Sequence, residues 1–106
     1  VEGITILKEP SDDYYSNHWL TGILLDEAIT GISNAQLLEE LEKHNIESRH
    51  LWKPMHLQPV FAGFPAYVNG TSEHLFKHGL CLPSGSNMTD EDRARVLEVL
   101  RASLHI

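Results

Sequence analysis

Eleven consecutive residues concentrate several kinds of chemically versatile side chain. Arg49-His50-Leu51-Trp52-Lys53-Pro54-Met55-His56-Leu57-Gln58-Pro59 brings together a guanidinium, an ammonium, two imidazoles, an indole and an amide. The prolines remove backbone donors and bias the preceding residues to extended geometry. Side chains in such a stretch are presented rather than folded back. An aromatic face beside cationic donors suits a sugar nucleotide: the indole packs on a ring and the cations meet a diphosphate. In a blander reading Trp52 and Met55 only pack and the cations are solvated.

Other candidates are weaker. His74 and His78 stand at i, i+4, which places both on one face of a helix. Zinc peptidases use that spacing with a glutamate inside the pair. Here Glu73 lies outside it and no third ligand follows, so no metal site is expected. Ser84-Gly85-Ser86 follows a strand and precedes a helix, where backbone amides can hold an anion. A plain strand-to-helix turn explains it as well. There is no nucleophile elbow and no phosphate-loop or dinucleotide fingerprint. Cys81, the only cysteine, is flanked by Leu80 and Leu82 and reads as a small core hydrophobe. No residue of this chain is expected to be catalytic.

The elements that must position the 49–59 segment can be read from pattern. Ile4–Leu7 suits a short edge strand. Trp19–Asp26 reads as a buried strand rich in aromatic and branched residues. Ser33 with Gln36 makes a capping box, and Leu37, Leu38 and Leu41 then fall on one helix face. Asn45 suits the left-handed residue that ends that helix. Ile46–Leu51 reads as a strand. Residues 52–70 carry three of the five prolines and must be mostly irregular. They also carry Trp52, Met55, Phe61, Phe64 and Tyr67, apolar surface that must pack onto something, in part outside this chain. Thr71–His78 is a short helix stopped by Gly79, and Leu80–Leu82 a strand ending at Pro83. Thr89 caps a last helix, with Asp90, Glu91 and Asp92 favourable to its positive end. Val96, Leu97, Leu100 and Leu104 form its apolar stripe. The fold class is therefore α/β, an α+β sandwich with a small sheet of three or four strands covered by helices.

Composition narrows the function classes. The chain has 106 residues, 42% hydrophobic and 22% charged, which suits one globular domain. Its net charge of −7 offers no general attraction to phosphate backbones or anionic lipid. Neither nucleic acid nor membrane is expected as a partner. A lone cysteine and the lack of a long apolar run favour a cytoplasmic setting. The first residue is Val1 rather than methionine, which fits a start mid-protein, after processing or at a cloning boundary, a truncated larger protein among them.

The motifs also carry a resemblance. W-K-P-M-H-L-Q-P at 52–59, preceded by N-I-E-S-R at 45–49, looks like the C-terminal part of the DegT/DnrJ/StrS family of sugar aminotransferases. L-F-K-H-G-L-C-L-P-S-G-S at 75–86, followed by N-M-T-D-E-D, is similar to the stretch that closes those proteins. S-N-H-W-L at 16–20 resembles the family's first strand in this domain. The matches run in order over nearly the whole chain.

This resemblance implies an aspartate-aminotransferase type of fold (fold-type I). A large N-terminal domain carries the lysine that binds pyridoxal phosphate, and residues 1–106 correspond to the small C-terminal domain. Such enzymes act as homodimers. They move an amino group, usually from glutamate, to a keto sugar on a nucleotide, and their products feed polysaccharide, glycan or antibiotic synthesis. The N-terminal cofactor domain is missing from this chain. None of Lys8, Lys43, Lys53 and Lys77 resembles the Schiff-base lysine, so no bound cofactor and no transaminase activity are expected of the segment alone. Carried over by position, Trp52, Lys53, His56 and Gln58 match the loop near the sugar nucleotide. Arg49 is a further candidate for a phosphate or carboxylate. The 80–86 match reads as structural. Two other readings stand beside this one. The chain is a free-standing binding or regulatory module of the same fold, or an unrelated acidic domain whose apolar loop docks a protein.

Overall fold

A computed structural model describes all residues 1–106. Four strands form one sheet: β1 (Ile4–Ile6), β2 (Thr21–Leu25), β3 (Arg49–His50) and β4 (Gly79–Leu82). Their order is β1-β2-β4-β3 and every pairing is antiparallel. The helices are α1 (Glu27–Thr30), α2 (Asn34–Lys43), α3 (Thr71–His78) and α4 (Asp90–Leu104). No helix is long and apolar enough to cross a membrane.

Register decides which side chains share a face, because alternate residues of a strand point to opposite sides. Ile23 pairs with Leu80, and Leu80 with His50, so these lie on one face together with Leu25. That face meets α2 and α4 in a core of Ile23, Leu25, Leu37, Leu41, Ile46, Leu80, Val99 and Leu104. Leu37, Leu41 and Leu80 are fully buried. Gly22, Cys81 and Arg49 share the opposite face.

The helix ends follow their capping residues. Ser33 accepts from the Gln36 amide, and the Gln36 side chain accepts from the Ser33 amide. At the far end Asn45 is left-handed, at φ 55°. Its amide donates to Glu42, and that of Ile46 to Leu41. This pair of bonds is a Schellman closure, with buried Ile46 as its hydrophobic contact. Thr89 and Asp92 form the second capping box.

Four expectations need correction. The second strand starts at Thr21, not Trp19, and Trp19 is exposed rather than buried. Ser16 and Asn17 side chains take the amides of His18 and Trp19, and His18 is left-handed, so the extended run breaks there. Residues 16–20, which resemble a first strand, therefore precede it. The expected strand at 46–51 contracts to Arg49–His50, because Ile46 is spent closing α2. In α4, Leu97 is exposed and Val99 takes its place in the core. The buried stripe centres on Val96 and Leu100, and Leu97 falls at its margin. Helix α1 was not legible: four residues are too few to show a period, and it exists through Asp26 capping Ala28 and left-handed Gly31.

Candidate functional site

The segment after β3 is irregular but braced. Pro54 is buried and starts a 3-10 turn over Met55–Leu57, in which the Leu57 amide donates to Pro54 at 3.0 Å. A second 3-10 turn, Pro59–Phe61, follows at once. The Gln58 amide donates to Met55, and its carbonyl accepts from Phe61. Two turns back to back allow side chains to diverge from a short stretch of chain.

The predicted site residues separate into two groups. Trp52, Lys53, His56 and Gln58 stand on this braced segment. Trp52 is 69% exposed, so its indole is offered to solvent rather than packed. Lys53 is exposed. Gln58 is half-buried and turns inward: its amide nitrogen reaches the Lys53 carbonyl at 3.4 Å and the Met55 sulfur at 3.6 Å. It shapes the loop. His56 is also half-buried and meets Glu73 of α3, Nε2 to Oε1, at 2.7 Å.

Arg49 belongs elsewhere. Its guanidinium is held by Glu47 at 2.6 Å, both side chains exposed. It lines a cleft of about 450 Å³ with Cys81, Ser84, Met88 and Arg95, and none of the other four candidates lines that cleft. Burial pushes the Cys81 thiol above its ordinary pKa, which suppresses the thiolate and suits a packing role. Ser84 donates to the Trp19 carbonyl at 2.7 Å, so the turn after β4 ties two loops together. The His74 and His78 rings lie tilted against each other, with centroids 4.6 Å apart.

Two residues escaped the sequence reading. Glu73 contacts His56 across 17 positions, beyond any local spacing. Asn34, at the start of α2, is 8% exposed. Its amide nitrogen reaches the Gly79 carbonyl at 3.0 Å, the Phe76 carbonyl at 3.4 Å and His50 Nδ1 at 3.2 Å. This one side chain joins α2 to the end of α3 and to the strand that leads into the loop. Its only sequence signal was a polar residue in the first turn of a helix, which also describes many solvated positions.

The comparisons with known proteins agree with this architecture. The model of the DegT/DnrJ/EryC1/StrS aminotransferase family matches residues 1–101. A curated relative described as a pyridoxal phosphate-dependent aminotransferase, EpsN of Bacillus subtilis (strain 168), is 46% identical over 94 residues. That match takes in 85% of this chain and 24% of the relative. GDP-perosamine synthase of Caulobacter vibrioides is 29% identical over 82 residues, 77% of this chain and 22% of its own length. The chain thus spans about a quarter of the curated relatives it matches. Among solved structures, DesI in the presence of its TDP-sugar product superposes with a TM-score of 0.81 at 28% identity. The superposition covers 97% of this chain and 26% of DesI. The aminotransferase TlmJ of Streptoalloteichus hindustanus shares the fold at a TM-score of 0.82 and 20% identity, over 99% of this chain and 27% of its own. With the family model matched over residues 1–101, this chain belongs to the DegT/DnrJ/EryC1/StrS aminotransferase family.

Proposed function

We propose that residues 1–106 form the C-terminal small domain of an enzyme that transfers an amino group, from glutamate, to a nucleotide-linked keto sugar. In this reading the braced loop after β3 contributes to the sugar-nucleotide site. Trp52 covers a ring face, His56 bonds a hydroxyl or phosphate oxygen, and Lys53 offers charge to the diphosphate. Gln58 holds the loop in shape, and Arg49 supplies a more distant cation. The observation that carries the reading is an exposed Trp52 indole on the same braced loop as a histidine whose Nε2 is already anchored. The relatives, a GDP-perosamine synthase and an enzyme solved with its TDP-sugar product, support the substrate class.

Pyridoxal phosphate supplies the carbanion-stabilising chemistry in this family's reaction when bound. The residues of this chain do not fit it. Lys8, Lys53 and Lys77 are exposed. Lys43 is bound to Glu40 at 2.9 Å, which raises its pKa, whereas a Schiff-base lysine needs its pKa lowered. The cofactor, the catalytic lysine and the phosphate cup are assigned to an N-terminal domain of the full-length protein. The segment alone is expected to lack transaminase activity. The exposed Tyr15, Trp19, Phe64 and Tyr67 support cover by that domain or by a second subunit of a homodimer. A role in surface polysaccharide synthesis would follow from such a product.

The test is kinetic and uses the full-length protein. Trp52→Ala is expected to raise KM for the nucleotide sugar roughly 10-fold, equivalent to about 1.4 kcal/mol, and to leave KM for the amino donor unchanged. Equal KM values for both substrates in wild type and variant would remove the loop from the site. Incubating the 106-residue segment with pyridoxal phosphate should give no stable lysine–cofactor absorption band. A stable band would overturn the assignment of the cofactor to another domain.

A further inference from the structure

We propose that Glu73 is a positioning residue for the sugar-nucleotide site, acting through His56; this rests on the loop reading above. The two residues are brought together by the fold, since His56 rides on the first 3-10 turn and Glu73 on the first turn of α3. The contact is the only hydrogen bond His56 makes. A carboxylate can only accept, so His56 must carry its proton on Nε2, and that nitrogen is occupied. Nδ1 is left as the ring atom for a ligand. The Glu73 contact therefore fixes both the orientation of the ring and which nitrogen is offered. Nδ1 accepts from a sugar hydroxyl when the ring is neutral and donates to a hydroxyl or phosphate oxygen when the ring is protonated. The geometry thus assigns Nδ1 of His56 to the ligand, as its contact to a hydroxyl or phosphate oxygen.

The same contact spans the irregular 58–70 segment. It ties the ligand-facing turn to a regular helix, which in turn is joined to α2 and β4 through Asn34. A half-buried histidine with a fixed partner is held more narrowly than one on a free loop. A merely structural role for Glu73 must be separated from this. Glu73 also sits in the first turn of α3, where an acid favours the positive helix end.

The experiment uses the full-length protein and four variants. Glu73→Ala is expected to raise KM for the nucleotide sugar about 10-fold, the low end for loss of an orienting partner, with KM for the amino donor unchanged. Glu73→Gln keeps an oxygen that accepts from Nε2 and should recover most of that loss. Adding Thr71→Glu to Glu73→Ala restores an acid to the helix end without reaching His56. It should recover thermal stability and leave KM raised. Adding His56→Ala to Glu73→Ala should raise KM no further than His56→Ala alone, because the two act as a unit. Additive effects, or restoration of KM by Thr71→Glu, would overturn the positioning role while leaving the loop reading intact. If His56→Ala alone leaves KM unchanged, both the loop reading of His56 and this proposal fall.

Discussion

Gly79→Ala tests how tightly the fold holds the loop. Gly79 ends α3 and begins β4, with φ −92° and ψ 148°. That is ordinary strand geometry, so any residue could adopt it. The need for glycine is one of space. A Cβ placed there would overlap the backbone carbonyl of Leu75 and the side chain of Leu51. The carbonyl cannot swing aside, because it accepts the Gly79 amide that terminates α3. Leu51 is buried directly before Trp52, so its side chain has little free space into which to yield. Overpacking of this kind typically costs about 1–3 kcal/mol, and a backbone obstacle puts this site near ~3 kcal/mol. At roughly 4–8 °C per kcal/mol for a domain of this size, the melting temperature should fall by about 12–24 °C. Denaturant unfolding, read as a lower midpoint at unchanged slope, measures it. The double variant Gly79→Ala/Leu51→Ala separates the two obstacles. Removing Leu51 should cost less in the Gly79→Ala background than in wild type, by about 1 kcal/mol, since one overlap disappears. A Gly79→Ala protein within about 0.5 kcal/mol of wild type would refute the steric argument. So would strict additivity of the pair.

Two further outcomes are expected. Leu37→Ala, at a fully buried position, should cost about 2–5 kcal/mol, while Leu97→Ala, at a position half exposed, should stay within about 1 kcal/mol; equal losses in denaturant melts would contradict the corrected α4 stripe. Hydrogen bonds from the Thr89 amide and hydroxyl hold the Asp92 carboxyl below its ordinary pKa. A depressed folded pKa contributes stability that is present above the unfolded value and lost as pH falls through the folded one. Asp92→Asn should therefore flatten the acid limb of a stability-versus-pH curve below about pH 4, and an unchanged limb would contradict the capping-box account.

Much of the candidate site was legible because its chemistry is local. Prolines 54 and 59 fixed an open backbone, and the cluster of indole, imidazole and amide lay within a few residues of them. The caps at Ser33 and Thr89 and the left-handed Asn45 were legible for the same reason: each depends on bonds within one helical turn. The misreading at Trp19 came from side-chain bonds of Ser16 and Asn17 that compete with strand pairing, and that at Ile46 from the backbone bonds that close α2. Propensity alone gives such competitors little weight.

By itself the sequence determined the class of fold, the ends of the long helices, the family and the open, proline-braced character of the 52–59 loop. These follow from short-range rules: period, capping, proline geometry and ordered motifs. Only the tertiary structure decided the strand order β1-β2-β4-β3, and with it which residues share a face. It set Arg49 beside Cys81, apart from the loop it seemed to belong to in sequence. It also gave His56 its partner. A carboxylate 17 positions away becomes a neighbour only when α3 folds back against the sheet, and no local rule encodes that return.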